Sequence, residues 1–158
     1  MYEIFGEFDS AAEINATAAG LLEEGDTENI KVLAKENGLE EMVEIYLAGA
    51  MPELTDPFMA AVGKLNIEKE TKVIKDYGRK IPAEPIVNFL QSRADETDIA
   101  SAIRQKGKTL EGCLKYIESE AKKIVKESQQ YLADMTVFLM GLDYYMKEGE
   151  ADGKEETA

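Results

Sequence analysis

Gly107, Lys108 and Thr109 spell the triplet that closes the phosphate-binding loop of many nucleotide-hydrolysing proteins. In such a loop the backbone N–H groups cradle phosphates, the lysine reaches the outer phosphates and the hydroxyl holds magnesium. That chemistry also requires a glycine separated from the Gly-Lys pair by four residues, and a strand running into the loop. Here that position is Ala102, inside a helical pattern. Gly107 therefore reads as a helix terminator and Thr109 as the cap of the following helix.

Two charged groups invite other chemistry. Lys69, Lys72 and Lys75 recur every three residues, with Arg79 and Lys80 just after. Such a stripe can contact phosphates, but no aromatic residues interleave as they do on single-strand stacking platforms. The plainer reading is a solvated face braced by Glu68–Lys72 and Asp76–Lys80, so direct nucleic-acid binding is not expected. Glu23, Glu24, Asp26 and Glu28 form a dense acidic corner. Calcium would suit these oxygens, yet the 12-residue loop pattern is absent. The corner reads either as a helix end meeting a helix start in water or, with Glu36, Glu40, Glu41 and Glu44, as negative charge offered to a basic protein groove.

Catalytic equipment is scarce. The 158-residue chain has no histidine and a single cysteine, Cys113. That removes the commonest general base, every Ser-His or Cys-His nucleophile pair, an internal disulfide and a cysteine-based zinc site. Cys113 lies on an apolar helical stripe and reads as a small buried hydrophobe. Tyr144 and Tyr145 read as core aromatics with their hydroxyls at the rim. No catalytic, metal or cofactor-binding residue is expected.

The elements that carry these residues are helical throughout. Ser10 and Glu13 have capping-box spacing, and Ile14, Ala18, Leu21 and Leu22 follow at helical intervals up to Gly25. Thr27 is expected to cap a second helix ending at Gly38. Met42, Ile45 and Tyr46 mark a third before Pro52. Asp56 caps a fourth with Pro57 at its first position, and a separate helix is predicted over 67–78. Pro82 and Pro85 mark a boundary. Beyond it Ile86, Phe89, Leu90 and Ala94 share one face, then Thr97, Ile99 and Ile103 another. Leu110, Cys113, Leu114, Ile117, Ala121, Ile124 and Val125 form the clearest stripe, with Glu111–Lys115 and Glu118–Lys122 on its wet side. The last helix, with Asp134 as cap, is apolar nearly all round and is predicted to lie in the middle of a bundle.

These signals give an all-α fold, a bundle of seven to nine short helices. The expected organisation is an acidic helical region over 1–80, a second helical domain over 81–148 and a disordered acidic tail over 149–158. The formal charge of -14 is uneven. Residues 1–66 carry 14 acidic and 3 basic side chains, whereas 67–148 carry 14 of each. An acidic front repels nucleic acid and attracts basic surfaces. With no apolar run long enough to span a bilayer and no signal peptide in the opening residues, a cytoplasmic protein is expected.

The second half resembles the PcfK-like family over about residues 84–148. The resemblance rests on an I-x-x-(F/Y)-L-x-x-(R/K)-A helix at 86–94, then on Lys108, Thr109, Leu110, Cys113, Tyr116 and Ile117, then on an Asp-led apolar helix from Asp134 to the Tyr144-Tyr145 pair. Asp143 stands where the family usually carries histidine. The family occurs on conjugative plasmids and other mobile elements of gut bacteria, and includes inhibitors of the type II CRISPR effector nuclease, Cas-nine. The resemblance implies a non-enzymatic protein that binds another protein, with that nuclease as target. Its expected contact residues are Glu23, Glu24, Asp26, Glu28, Glu40, Glu41 and Glu44. An accessory role in conjugation or prophage maintenance and a nucleic-acid-binding module stand as alternatives, and self-association stays open.

Overall fold

In a computed structural model the described residues are 4–77, 81–128 and 134–147. Among them the chain forms nine helices and no strand: α1 (Ala11–Glu23), α2 (Thr27–Glu36), α3 (Glu40–Leu47), α4 (Pro57–Lys69), α5 (Lys72–Tyr77), α6 (Ala83–Arg93), α7 (Thr97–Arg104), α8 (Leu110–Ser128) and α9 (Asp134–Met146). Local chemistry sets most of the boundaries. Ser10 caps α1 by accepting from the Glu13 N–H, and the Glu13 carboxylate reaches back to the Asp9 N–H. Asp56 caps α4 ahead of Pro57, and Thr109 accepts from the Gly112 N–H at the start of α8. Gly25 and Gly38 end their helices with φ near +72°, a left-handed conformation that glycine adopts without a Cβ clash.

Four local expectations need correction. Asp26, not Thr27, caps α2, because its carboxylate is the group that reaches the Asn29 N–H. The helix expected from 67 is the end of α4, which breaks at Glu70–Thr71 before the short α5. Thr71 turns its hydroxyl onto the Glu68 carbonyl there, a local bond that competes with helical continuation. On α3 the buried residues are Val43 and Tyr46, and Ile45 faces out. Finally, α9 is not central. Gly141, Tyr144 and Tyr145 pack inward, while Met135, Leu139 and Met146 are exposed. Apolar composition alone does not fix depth: among the described residues α9 packs mainly on α8, with α6 and α7 beside it, and its remaining face is exposed.

Two hydrophobic clusters result. One gathers Ile14, Ala18, Ile30, Leu33, Val43, Tyr46, Leu54 and Ala60 around α1–α3. The other gathers Leu65, Ile74, Ile86, Leu90, Ile103, Leu110, Cys113, Leu114, Ile117 and Tyr145. The second core thus crosses the Pro82 boundary and draws on α4 and α5. α4 serves both clusters, Ala60 facing one and Ala61 and Leu65 the other. Beside it the α2–α3 turn comes close: a Cβ on Gly38 would lie 2.4 Å from the Gly63 carbonyl oxygen. No helix among the described residues is long and apolar enough to cross a membrane.

Candidate functional site

The acidic residues divide into two groups. Glu23 and Glu24 end α1 and are exposed, and Glu28 is exposed on the first turn of α2, 3.9 Å from Lys31. Asp26, half-buried between them, is committed to capping α2 and also accepts from the Asn29 side chain at 2.8 Å. Glu40 and Glu41 lie beyond the opposite end of α2, on the first turn of α3, with Glu44 one turn further; all three are exposed. Ten residues of helix separate the groups by about 15 Å. That exceeds the screening length of about 8 Å at physiological salt, so the two acidic patches act separately. Each carries one exposed aliphatic side chain, Leu22 in the first and Ile45 in the second.

The lysine stripe is laced differently from its sequence reading. Lys72 pairs with Asp76 at 2.8 Å and Lys75 with Glu70 at 3.1 Å. Glu68, expected on that wet face, is instead buried. Arg79, Lys80 and the proposed Asp76–Lys80 pair, along with the 149–158 tail, lie outside the described residues. On α8 the Glu111–Lys115 and Glu118–Lys122 pairs form at 3.1 and 3.4 Å.

The Gly-Lys-Thr loop is a structural hub. In a phosphate loop its N–H groups would face an anion; here those of Lys108 and Thr109 go to the Gln105 carbonyl and the Tyr144 hydroxyl, and those of Gly107 and the flanking Lys106 and Leu110 go to the protein's own carboxylates. Lys106 N–H donates to Asp9 at 2.7 Å, Gly107 N–H to Glu7 at 3.1 Å and Leu110 N–H to Glu68 at 3.1 Å. Lys108 turns inward, 1 % exposed, donates to the Tyr144 carbonyl at 2.9 Å and lies over the Tyr144 ring. Thr109 N–H meets the Tyr144 hydroxyl, Cys113 packs on Gly141, and Tyr116 donates to Asp143. The residues that carried the sequence resemblance therefore touch one another: those at the start of α8 clasp those at the end of α9.

Behind this loop lies a group of buried charges that sequence reading missed: Lys64, Glu68 and Arg104, with Asn37 beside them. The Lys64 ammonium donates to the carbonyls of Ile103, Gln105 and Lys108 at 2.6, 3.1 and 2.5 Å. It thereby neutralises the negative end of α7. Arg104 donates to Asn37 Oδ1, and its Nε and Nη1 meet no acceptor among the described residues. A signal did exist. Lys64 interrupts the run Ala60-Ala61-Val62-Gly63 before Leu65, and Glu68 follows it at i+4 on the same face.

Burial pushes the Glu68 carboxyl up to about 7; Lys64 and the Leu110 N–H pull it down, Glu7 adds to the rise, and Arg104 opposes it. Between the ordinary value of 4.5 and about 7, the folded chain holds a proton that the unfolded chain has released. Stability therefore falls as pH rises through this window and is flat, for this group, on either side. The size is on the order of 3 kcal/mol. Glu68→Gln keeps an acceptor for Leu110 and cannot ionise. Urea unfolding at pH 4.5 and 8 should show the variant gaining on the parent by about that amount; parallel stability–pH curves would contradict it.

What emerges is an all-helical protein whose most constrained polar residues join helices to one another, with exposed carboxylates at both ends of α2. Residues 78–156 match the PcfK-like protein family, and the chain belongs to that family. The match spans half of the 158 residues and contains the stretch in which the resemblance was read. Neither the curated proteins nor the solved structures contain a match.

Proposed function

We propose that this chain acts by binding another protein, without a bond-making step of its own, and that it serves a mobile genetic element as an inhibitor of the type II CRISPR effector nuclease. The observation that carries the reading is the exposed acidic surface of α1–α3, where Glu23, Glu24, Glu40, Glu41 and Glu44 stand clear of the core. An effector nuclease holds its nucleic acids in strongly basic channels. Two acidic patches about 15 Å apart suit an extended basic groove better than a single basic point. Leu22 and Ile45 give each patch an apolar contact.

Reversing Glu23, Glu24, Glu40 and Glu41 to lysine should weaken nuclease binding by roughly ten- to a hundredfold, because exposed ion pairs contribute about 0.2–1 kcal/mol each. The parent complex should weaken as salt rises. The measurement is titration against guide-loaded nuclease at two salt concentrations, with target-DNA cleavage as the second readout. Unchanged binding by the fourfold variant would rule out acidic docking. A specific partner recovered from a host without any CRISPR system would favour the accessory role in conjugation or prophage maintenance.

A further inference from the structure

The segment before α1 is tied at both ends. At one end the Glu36 carboxylate on α2 accepts the Ile4 N–H at 2.8 Å and the Phe5 N–H at 3.2 Å. At the other, Glu7 and Asp9 hold the Gly107 and Lys106 N–H groups. Residues 4–9 therefore form a strap from the first hydrophobic cluster to the loop ahead of α8. Three residues along that loop from Gly107, the Leu110 N–H is held by Glu68. Two carboxylates from distant parts of the chain thus hold N–H groups three residues apart on one short segment.

We propose that Glu7 and Glu68 make this strap a proton-linked latch, in which a proton on Glu68 and the seating of residues 4–9 favour one another. Burial weighs most on Glu68, and four groups among the described residues add to or oppose it. Glu7 repels the carboxylate from the strap, Lys64 attracts it from its own helix, Arg104 attracts it from α7, and the Leu110 N–H binds it from α8. Glu111 borders the same small pocket of about 130 Å³, lined also by Thr71 and Thr109. When Glu68 ionises, a second negative charge appears near Glu7 in a buried place; Lys64 attracts it more strongly than Glu7 repels it, but the Glu7 repulsion is present only while the strap is seated. A neutral Glu68 still accepts from Leu110 and leaves Glu7 unopposed on Gly107. By reciprocity, seating the strap raises the proton affinity of Glu68. This device belongs to the fold and does not depend on the identity of any partner.

The test uses the intact chain. Carbon-detected titration of the Glu68 carboxyl and hydrogen exchange at Gly107, corrected for its intrinsic pH dependence, are measured in the parent, Glu7→Gln and Glu68→Gln. In the parent, Glu68 should titrate near 7 and Gly107 protection should fall at least about fivefold from pH 6 to 8. Protection should be flat over that range in Glu68→Gln, and the Glu68 midpoint should move down in Glu7→Gln. Glu68 titrating with the surface carboxylates, or equal pH dependence of Gly107 in the parent and Glu68→Gln, would overturn the latch. Should Glu68→Gln fail to fold, an unmoved Glu68 midpoint in Glu7→Gln would overturn it alone.

Discussion

Gly63→Ala should destabilise the protein by about 3 kcal/mol, at the upper end of the usual cost of overpacking, and lower Tm by roughly 10 °C for a chain of this size. Judged on its helix alone, the same change should help, since alanine exceeds glycine by about 1 kcal/mol in a helix interior. The clash outweighs that gain. A Cβ at Gly63 would lie 2.4 Å from the Asn37 carbonyl oxygen and 3.0 Å from that of Gly38. Both obstacles are backbone, and Gly38 is itself held at φ +72°, so neither can swing aside as a side chain would. To make room, the α2–α3 turn must retreat from α4, loosening the bond between Asn37 and Arg104. Gly20→Ala is the internal control. Gly20 lies on α1 with nothing within 4 Å of a built Cβ, so stability should rise by up to about 1 kcal/mol. Thermal and urea unfolding of both variants decides the matter. A Gly63→Ala protein as stable as the parent would mean that the close approach of these two backbones is absent in solution.

Lys64→Met should cost about 3–5 kcal/mol, the range for removing one partner from a buried charge group. Methionine keeps the length and most of the volume of the stem, so the loss isolates the ammonium. The Ile103 and Lys108 carbonyls would remain buried without that donor, while the part-buried Gln105 carbonyl keeps the Lys108 N–H, and the Glu68 carboxyl would lose the cation that attracts it most. Each orphaned acceptor carries a penalty of about 1–3 kcal/mol, part of which relaxation recovers. Lys64→Arg should not rescue, because three carbonyls around one point suit the three N–H bonds of an ammonium and not a planar fork. A Lys64→Met protein within 1 kcal/mol of the parent in urea unfolding would show that Lys64 is dispensable as the plug of α7. The tolerance of 1 kcal/mol is about the uncertainty of such extrapolations.

Most helices were legible because their signals are local. Ser10, Asp56 and Thr109 cap where their spacing places them, and the 110–117 stripe is buried as its period requires. The exclusion of the phosphate loop was legible too, since Ala102 stands where a glycine is needed. The errors arose where two local options were near-equal, as at Asp26 against Thr27, or where depth was inferred from composition, as for α9. On the acidic stretch, the sequence did not separate Asp26, which caps α2, from Glu23, Glu24, Glu28, Glu40, Glu41 and Glu44, which are exposed.

The amino-acid order alone thus settled the all-helical class, the family resemblance and the uneven charge, because caps, periods and net charge are properties of neighbours along the chain. Only the tertiary structure settled that the Gly-Lys-Thr loop is held by Glu7, Asp9 and Glu68, and that Lys64 and Arg104 are buried where α4 meets α7. Glu7 and Gly107 are 100 residues apart. Nothing local distinguishes Glu7 from a carboxylate that faces water, since the difference lies in which distant loop it reaches.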